Sequence, residues 1–216
     1  MHDERKRIVA AGYDAMAERY LAWGTSVVED PRDEMLERFS SGLRDGSRVL
    51  DLGCGAGTPS TRSLAQRFDV IGVDISPAQV ELAGRNVPNA EFLHGDIAKV
   101  EFPEGTFDGI VSLYAISHVP RAEHADLFAS AFAWLKPGGR FLATLGATDA
   151  PDWTGDWLGV PMFFSAFGAD ENRRLLNSAG FELVVDDVRT TREPEGDVSF
   201  LWVLARKPMG AGEPRG

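Results

Sequence analysis

The stretch Arg48-Val49-Leu50-Asp51-Leu52-Gly53-Cys54-Gly55-Ala56-Gly57 decides the fold class of this 216-residue chain. It predicts a short buried strand that runs into a glycine-rich turn, and a helix is expected over residues 58–67. Glycines at such a turn let the backbone bend sharply and approach a ligand with no Cβ in the way. The helix that follows offers free N–H groups to an anionic group. A turn that needs only backbone freedom would have the same sequence, so the turn alone does not assign a function.

Strands and helices alternate on both sides of this turn, which is typical of an α/β fold. Further strands are predicted at residues 69–73, 90–94, 107–114 and 140–145, and helices at 4–20, 31–43, 76–86, 121–135 and 170–179. Residues 181–191 and 198–207 form two strands joined without a helix, so they must pair antiparallel. The pattern predicts a Rossmann-like, doubly wound sheet that is mostly parallel, with one antiparallel strand in a C-terminal hairpin.

One domain is expected over residues 1–207, with a helical cap at about 1–43 and a flexible, Gly/Pro-rich tail at 208–216. Residues 147–166 interrupt the alternation and contain Trp153, Trp157, Phe163 and Phe164. Long loops in compact domains are usually functional, so this segment is expected to be a lid-like loop.

Composition excludes several classes of protein and site. Lys and Arg number 22 against 33 Asp and Glu, which gives a net charge of −11 and disfavours a nucleic-acid partner. Cys54 is the single cysteine, so an intrachain disulfide and a multi-cysteine zinc site are excluded, and no metal is expected. No apolar run approaches the roughly 20 residues of a membrane helix, and residues 1–7 do not form a secretory signal. The expectation is a cytoplasmic protein without a membrane partner.

Two acidic residues follow the next two predicted strands. Asp74 ends the second strand about twenty residues after the glycines, where a carboxylate can bind both hydroxyls of a ribose. Asp96 ends the third strand, and ligands of open parallel sheets sit beyond the carboxyl ends of the strands. Each aspartate alone is also typical of a helix N-cap or a turn. Together with the glycine turn they favour a nucleoside that carries a charged group.

These segments resemble the motifs of the class I S-adenosylmethionine-dependent methyltransferases. The resemblance runs colinearly through residues 49–57, 72–76, 92–96, 107–111 and 135–139. Tyr13-Asp14-x-x-Ala17-x-x-Tyr20 also resembles the N-terminal helix signature of small-molecule methyltransferases.

The resemblance implies S-adenosylmethionine as the cofactor and S-adenosylhomocysteine as its product. Gly53, Cys54 and Gly55 would line the methionine moiety, whose ammonium Asp51 and the backbone carbonyl of Leu113 would hold. The other implied contacts are with the nucleoside: Asp74 on the ribose, Ile75, Asp96 and Ile97 on the adenine, Gln79 at the adenine edge, and Tyr20 reaching the cofactor from the first helix.

The methyl acceptor site is less defined by the sequence. His118 follows the fourth strand near the expected methyl position, and histidine suits general-base work near neutral pH. The alternative is a loop histidine that only shapes the pocket. Aromatic residues are candidates for the pocket wall, unless they merely cover the sheet edge: Tyr13, Trp23, Tyr114, Trp153 and Trp157.

The expected function is transfer of a methyl group from S-adenosylmethionine to an O, N or C atom of a small molecule by in-line displacement, in which the protein aligns the reactants and excludes water. Two alternatives stay open. One is a sensor or partner subunit that binds the cofactor without transfer. The other is a nicotinamide-dependent oxidoreductase. The glycine fingerprint of such enzymes has Gly or Ala at the position that Thr58 occupies here, which disfavours this alternative.

Overall fold

A computed structural model describes residues 3–210 of the chain. Seven strands form the central sheet: β1 (Arg48–Leu52), β2 (Asp69–Asp74), β3 (Glu91–His94), β4 (Phe107–Ser112), β5 (Leu135–Gly146), β8 (Glu182–Glu193) and β9 (Gly196–Arg206). Two more strands form a separate hairpin: β6 (Ala150–Trp157) and β7 (Val160–Ala166). The helices are α1 (Glu4–Gly24), α2 (Arg32–Ser40), α3 (Ser60–Leu64), α4 (Pro77–Asn86), α5 (His124–Trp134) and α6 (Ala169–Ala179).

The strand order is β3-β2-β1-β4-β5-β9-β8, and β9 is the strand that runs against its neighbours β5 and β8. The predicted fold class, a mostly parallel sheet with an antiparallel strand in a C-terminal hairpin, is confirmed. The chain leaves β1 toward β2 and β3 on one side and returns to β4 and β5 on the other. The switch point between β1 and β4 is where doubly wound sheets bind ligands, at the carboxyl ends of the strands.

Strand β1 lies inside the sheet, and all of its residues after Arg48 are buried. Leu50 pairs with Ile71 of β2 on one side and with Ile110 of β4 on the other, and all three are buried. A parallel strand covered on both faces is expected to be a continuous apolar run. One core layer lies on each face of the sheet, with Phe128 and Phe141 in one and Phe39 and Trp202 in the other.

The lid-like loop predicted at residues 147–166 is instead the β6–β7 hairpin. Its two-residue connection, Leu158-Gly159, has positive φ at both positions (52° and 76°), as in the type I′ turns that suit hairpins. The prediction of a loop was wrong because the Gly, Pro and Asp residues of this segment favour a loop, although they are interspersed with aromatic and β-branched residues that favour strands. Together, α1 and this hairpin pack around a small core that contains Val9, Met16 and Met162. From here on, the cap means α1 and the β6–β7 hairpin; of the helical cap predicted at about 1–43 it includes α1.

Several boundaries differ from the predictions. Helix α1 continues past residue 20 to Gly24, whereas α3 spans only Ser60–Leu64 and α2 ends at Ser40. Residues 121–123 form a separate 3₁₀ turn before α5. Strand β5, predicted at 140–145, begins already at Leu135 and ends at Gly146. Residues 208–210 lack regular structure, and the rest of the predicted tail, 211–216, lies outside the described residues. None of the helices within residues 3–210 is long and apolar enough to cross a membrane.

Candidate cofactor and acceptor site

Two connected chambers lie at the carboxyl edge of the sheet beneath the cap. The larger has a volume of about 650 Å³ and the smaller about 80 Å³. Gly53, Gly55 and Leu113 line both, as do Tyr13 and Tyr20 of α1. The structure also brings most of the other predicted site residues to these chambers: Asp74, Ile75, Asp96 and Ile97 to the smaller, Asp51, Cys54, Gln79, Trp23 and Trp157 to the larger, and Tyr114 and His118 to both.

The turn after β1 requires glycine for two reasons. Gly53 and Gly55 have φ values of +80° and +52°. A Cβ on Gly53 would lie 2.1 Å from the Cβ of Ala115, a distance that no side chain tolerates. The turn is tied to the end of β2, because the backbone N–H groups of Gly53 and Cys54 both donate to the Val73 carbonyl. The backbone of the turn is therefore fixed and bare where it borders the chambers.

Asp74 joins this turn to the start of α4. One carboxylate oxygen accepts from the Gly55 N–H at 2.8 Å, and the other accepts from the Ser76 N–H at 2.9 Å. Burial raises the pKa of Asp74, and these backbone hydrogen bonds oppose the rise. Each oxygen of a carboxylate has two acceptor sites, so Asp74 can still accept hydrogen bonds from a ligand in the smaller chamber.

Asp96 is paired with a cation that the sequence analysis did not single out. The Lys6 ammonium of α1 lies 2.6 Å from Asp96 Oδ2 and 2.6 Å from Glu123 Oε2, and only 9% of Lys6 is exposed. Asp96 Oδ1 accepts from the Ala98 N–H. A ligand amine at Asp96 therefore shares the carboxylate with Lys6. No local pattern identifies Lys6, because both of its partners are distant in the sequence.

Two buried polar side chains border the larger chamber beside the glycine turn. Asp51 is 3% exposed and accepts from Thr61 Oγ1 at 2.6 Å; burial raises its pKa to about 6, and the Thr61 hydrogen bond opposes this. Gln79 is 1% exposed, and neither its amide nitrogen nor its amide oxygen has a partner within the described chain. Buried amides without partners are rare in proteins, so Gln79 indicates a polar ligand in this chamber.

His118 connects the two parts of the cap. Its Nδ1 lies 2.9 Å from the Phe163 carbonyl of β7, and its Nε2 lies 2.8 Å from the Tyr13 hydroxyl of α1. Because a carbonyl only accepts, Nδ1 donates to it, and Nε2 of the neutral ring accepts from Tyr13. Burial lowers the pKa of His118 to about 4, so the ring is neutral at pH 7. Both ring nitrogens are engaged in hydrogen bonds, so the Tyr13 hydroxyl occupies the acceptor site of Nε2.

Aromatic rings form one wall of the larger chamber, which we call the aromatic wall: Tyr20, Trp23, Trp157 and Phe164. Tyr20 stacks on Trp23 with ring centroids 5.6 Å apart, and Trp157 lies 5.7–5.8 Å from both. Trp153, also expected here, lies outside both chambers and is 49% exposed. Trp153 pairs across the hairpin with Phe164, and it is the Phe164 ring, 6.0 Å away, that lines the chamber at this level.

Arg32 is a further residue that the sequence analysis missed. Its guanidinium lies over the Tyr114 ring, 4.9 Å from the centroid, and its Nη2 is 3.1 Å from Asp30 Oδ2. The buried Nε of Arg32 has no partner within the described residues. Tyr114, with a positive φ of 60°, donates its hydroxyl to Asp30 Oδ1 at 2.7 Å. In the sequence, Arg32 is only the second residue of the helix predicted at 31–43, and its role depends on the loop that precedes α2.

Residues 49–139 match the model of a methyltransferase domain. The chain is 32% identical over 180 residues to phosphoethanolamine N-methyltransferase 3 of Arabidopsis thaliana, which covers 76% of this chain and 33% of that protein. It is 31% identical over 179 residues to a sterol 24-C-methyltransferase of Saccharomyces cerevisiae, covering 72% of this chain and 44% of that protein. The chain belongs to the class I S-adenosylmethionine-dependent methyltransferases. It spans about a third to a half of the length of these curated relatives.

The fold comparison agrees with the family. The 1,6-didemethyltoxoflavin-N1-methyltransferase of Burkholderia thailandensis, solved with 1,6-didemethyltoxoflavin and S-adenosylhomocysteine, has a TM-score of 0.72 at 23% identity, over 95% of this chain and 89% of that one. The [4+2]-cyclase SpnF has a TM-score of 0.70 at 18% identity, over 93% of this chain and 95% of that one. At these identities the likeness concerns the fold.

S-adenosylmethionine is the cofactor of this family, and the chambers fit it. The bare glycine turn leaves room for the methionine moiety, and the spare acceptor sites of Asp74 suit ribose hydroxyls. Gln79 and the Arg32 Nε are buried polar groups that lack partners within residues 3–210 and border the same chamber. Each therefore gains a hydrogen bond when a polar ligand enters.

Proposed function

We propose that this chain transfers a methyl group from S-adenosylmethionine to an O, N or C atom of a small molecule. The observation that carries the proposal is the meeting of the glycine turn, Asp74 and Asp96 at three neighbouring strand ends, next to a 650 Å³ chamber. That volume falls within the range of small-molecule sites. The chamber extends past the glycine turn to the aromatic wall, which leaves space for a second molecule beside the cofactor.

The cofactor would lie across β1, β2 and β3. Gly53 and Gly55 would border its methionine moiety, with Asp51 and the Leu113 carbonyl at the ammonium and Arg32 at the carboxylate. Asp74 would accept from the ribose hydroxyls. The nucleoside contacts would be completed by Ile75 and Ile97 against the adenine, Asp96 at its amine, Gln79 as a hydrogen-bonding amide and Tyr20 covering the sulfonium side.

When bound, the cofactor supplies an electrophilic methyl group on a good leaving group, so the chain has to align the acceptor and exclude water. The cap covers the chambers and supplies both functions. For an acceptor that loses a proton, the Tyr13 hydroxyl would take this proton while passing its own to His118 Nε2. His118 would therefore act through Tyr13, and the hydrogen bond from Nδ1 to the Phe163 carbonyl holds the ring in the required tautomer.

A binding experiment separates this proposal from the nicotinamide alternative. We expect S-adenosylhomocysteine to raise the melting temperature of the protein and NAD to leave it unchanged. Asp74→Asn should weaken S-adenosylhomocysteine binding by at least about tenfold, because it removes a charged acceptor. Asp69→Asn, at the exposed start of the same strand, is the matched control and should bind normally. Stabilisation by NAD alone would refute the proposal.

A transfer experiment separates it from a sensor that only binds the cofactor. The protein is incubated with S-adenosylmethionine labelled in the methyl group and a fractionated metabolite extract. Labelled product that appears with the wild type and is lost with Asp74→Asn supports transfer. Tight cofactor binding with no labelled product in any fraction would favour the sensor.

The cytoplasmic location and the absence of a nucleic-acid partner remain predictions. They rest on the single cysteine and on the net charge of −11.

A further inference from the structure

The larger chamber has a second charged region, away from the nucleoside side. Glu193 ends β8 and lines this chamber together with Phe200 of β9. In the sheet order, β2 and β3 lie on one side of β1, and β9 and β8 lie on the other. Asp74 and Asp96 therefore mark the cofactor side, and Glu193 belongs to the opposite side, where the acceptor would bind.

The loop between α1 and α2 closes the chamber over Glu193. Val28 and Arg192 exchange two backbone hydrogen bonds of 3.0 Å, so this loop is attached to the end of β8. Glu193 is near Tyr20 of the aromatic wall: burial raises the pKa of the Tyr20 hydroxyl, and the Glu193 charge adds to this rise. The indole nitrogen of Trp23 donates to Glu195 in the same β8–β9 turn, at 3.1 Å, which fixes the ring against this turn.

Glu193 has no hydrogen-bond or ion-pair partner within residues 3–210, although it is half-buried. Burial and the neighbouring carboxylates of Glu195 and Asp30 raise its pKa. An unpaired carboxylate in such surroundings gains most from a cationic ligand.

The charges of the chamber disfavour an anionic acceptor. Of the described residues that line it, Asp30, Asp33, Asp51 and Glu193 are acidic, and Arg32 is the one with a cationic side chain. Arg32 is paired with Asp30, and its unpartnered Nε is the group proposed above to bind the cofactor carboxylate, so it is not available to the acceptor. Lys6 of the smaller chamber is paired with two carboxylates. A phosphate such as that in the named substrate of the plant relative would meet repulsion here, with no free cation to bind it.

The aromatic wall adds attraction for a cation. The faces of Trp and Tyr rings are electron-rich and bind ammonium groups, most strongly where water is excluded. On the basis of the proposed function, we infer that the methyl acceptor is an amine-bearing, largely apolar molecule whose ammonium group lies between the aromatic wall and the Glu193 carboxylate. The inference concerns recognition of the ammonium and applies whichever atom of the acceptor takes the methyl group.

The test compares ligands that differ only in charge. Tryptamine and tryptophol are nearly isosteric, as are 2-phenylethylamine and 2-phenylethanol. Binding is measured by calorimetry with protein saturated in S-adenosylhomocysteine, for the wild type, Glu193→Gln and Glu182→Gln. Glu182 begins the same strand, pairs with Arg206 at the surface and loses the same charge, so it is the matched control.

We expect the wild type and Glu182→Gln to prefer the amine over the alcohol by about tenfold or more in at least one pair, as for a charge-assisted contact. Glu193→Gln should reduce this preference to about twofold or less. Equal binding of amine and alcohol, binding of neither pair, or an unchanged preference in Glu193→Gln would overturn the inference. If Glu193→Gln does not fold, the ratio of the amine and alcohol affinities of the wild type still decides the test. Failure of S-adenosylhomocysteine to bind would instead refute the proposed function.

Discussion

His118 should make the stability of this protein depend on pH in a way that a single substitution removes. Burial lowers the pKa of His118 from 6.5 to about 4. Above pH 6.5 the ring is neutral in both the folded and the unfolded chain. Between pH 6.5 and 4 the unfolded chain binds a proton that the folded chain does not, so stability falls as the pH falls. At about 1.4 kcal/mol per pH unit, the loss is roughly 3 kcal/mol.

The perturbation is His118→Gln, which replaces the ring with an amide that does not titrate. The free energy of unfolding is measured in urea between pH 7 and pH 4 for the wild type and the variant. The difference between the two proteins isolates His118, because the other titrating groups are present in both. The wild type should lose about 3 kcal/mol relative to the variant as the pH falls from 7 to 4.

The control is His94→Gln, which removes an exposed imidazole at the end of β3 and should not reproduce the relative loss. The reasoning is refuted if the difference in free energy of unfolding between the wild type and His118→Gln stays constant within about 1 kcal/mol from pH 7 to pH 4. The buried, neutral ring held between Tyr13 and Phe163 would then be excluded.

Three further outcomes are expected. Burial raises the pKa of Asp51 to about 6, so S-adenosylhomocysteine should bind the wild type more tightly as the pH rises through 6. Asp51→Asn should abolish this increase in affinity. Identical calorimetric pH profiles for the two proteins would contradict the role of Asp51 at the cofactor ammonium. Lys6→Met leaves Asp96 without its cation and Glu123 with only the exposed Lys99, so it should lower the free energy of unfolding in urea by about 2–4 kcal/mol. Arg7→Met, at an exposed pair, should lower it by less than about 0.5 kcal/mol. Equal costs would exclude a structural role for the Lys6 network. Gly53→Ala should abolish cofactor binding, because the new Cβ would collide with Ala115. The control is Gly84→Ala on α4, where a Cβ meets open space; it should stabilise the protein by about 0.5–1 kcal/mol. Normal S-adenosylhomocysteine binding by Gly53→Ala would contradict the tight turn.

The relation between Trp153 and Trp157 illustrates where sequence reasoning stops. Both rings were expected in the acceptor pocket because both lie in one aromatic segment. Their spacing places them on one face of β6, about 13 Å apart along a strand. Only Trp157, next to the turn of the hairpin, reaches the chamber. The cross-strand partner of each ring had to be known before the two tryptophans could be distinguished, because Phe164 of β7 lines the chamber at the level of Trp153.

The charged residues that the sequence analysis missed have a common cause. Lys6, Arg32 and Glu193 lie in ordinary polar stretches, and nothing in their neighbours in sequence distinguishes them. Lys6 meets its carboxylates 90 and 117 residues away, and Tyr114 reaches Asp30 across 84 residues. Pairing between such distant groups follows from how α1 and the α1–α2 loop fold over the sheet.

The sequence by itself determined the strands of the central sheet and the helices between them, the glycine turn and the acidic strand ends, since these follow from local periodicity, backbone conformation and the rules of parallel sheets. Only the tertiary structure decided the cap, the neutral state of His118, the pairing of Lys6 with Asp96 and the placement of Glu193 against the aromatic wall. Burial and long-range contacts set these properties, and neither is encoded in any short stretch of residues.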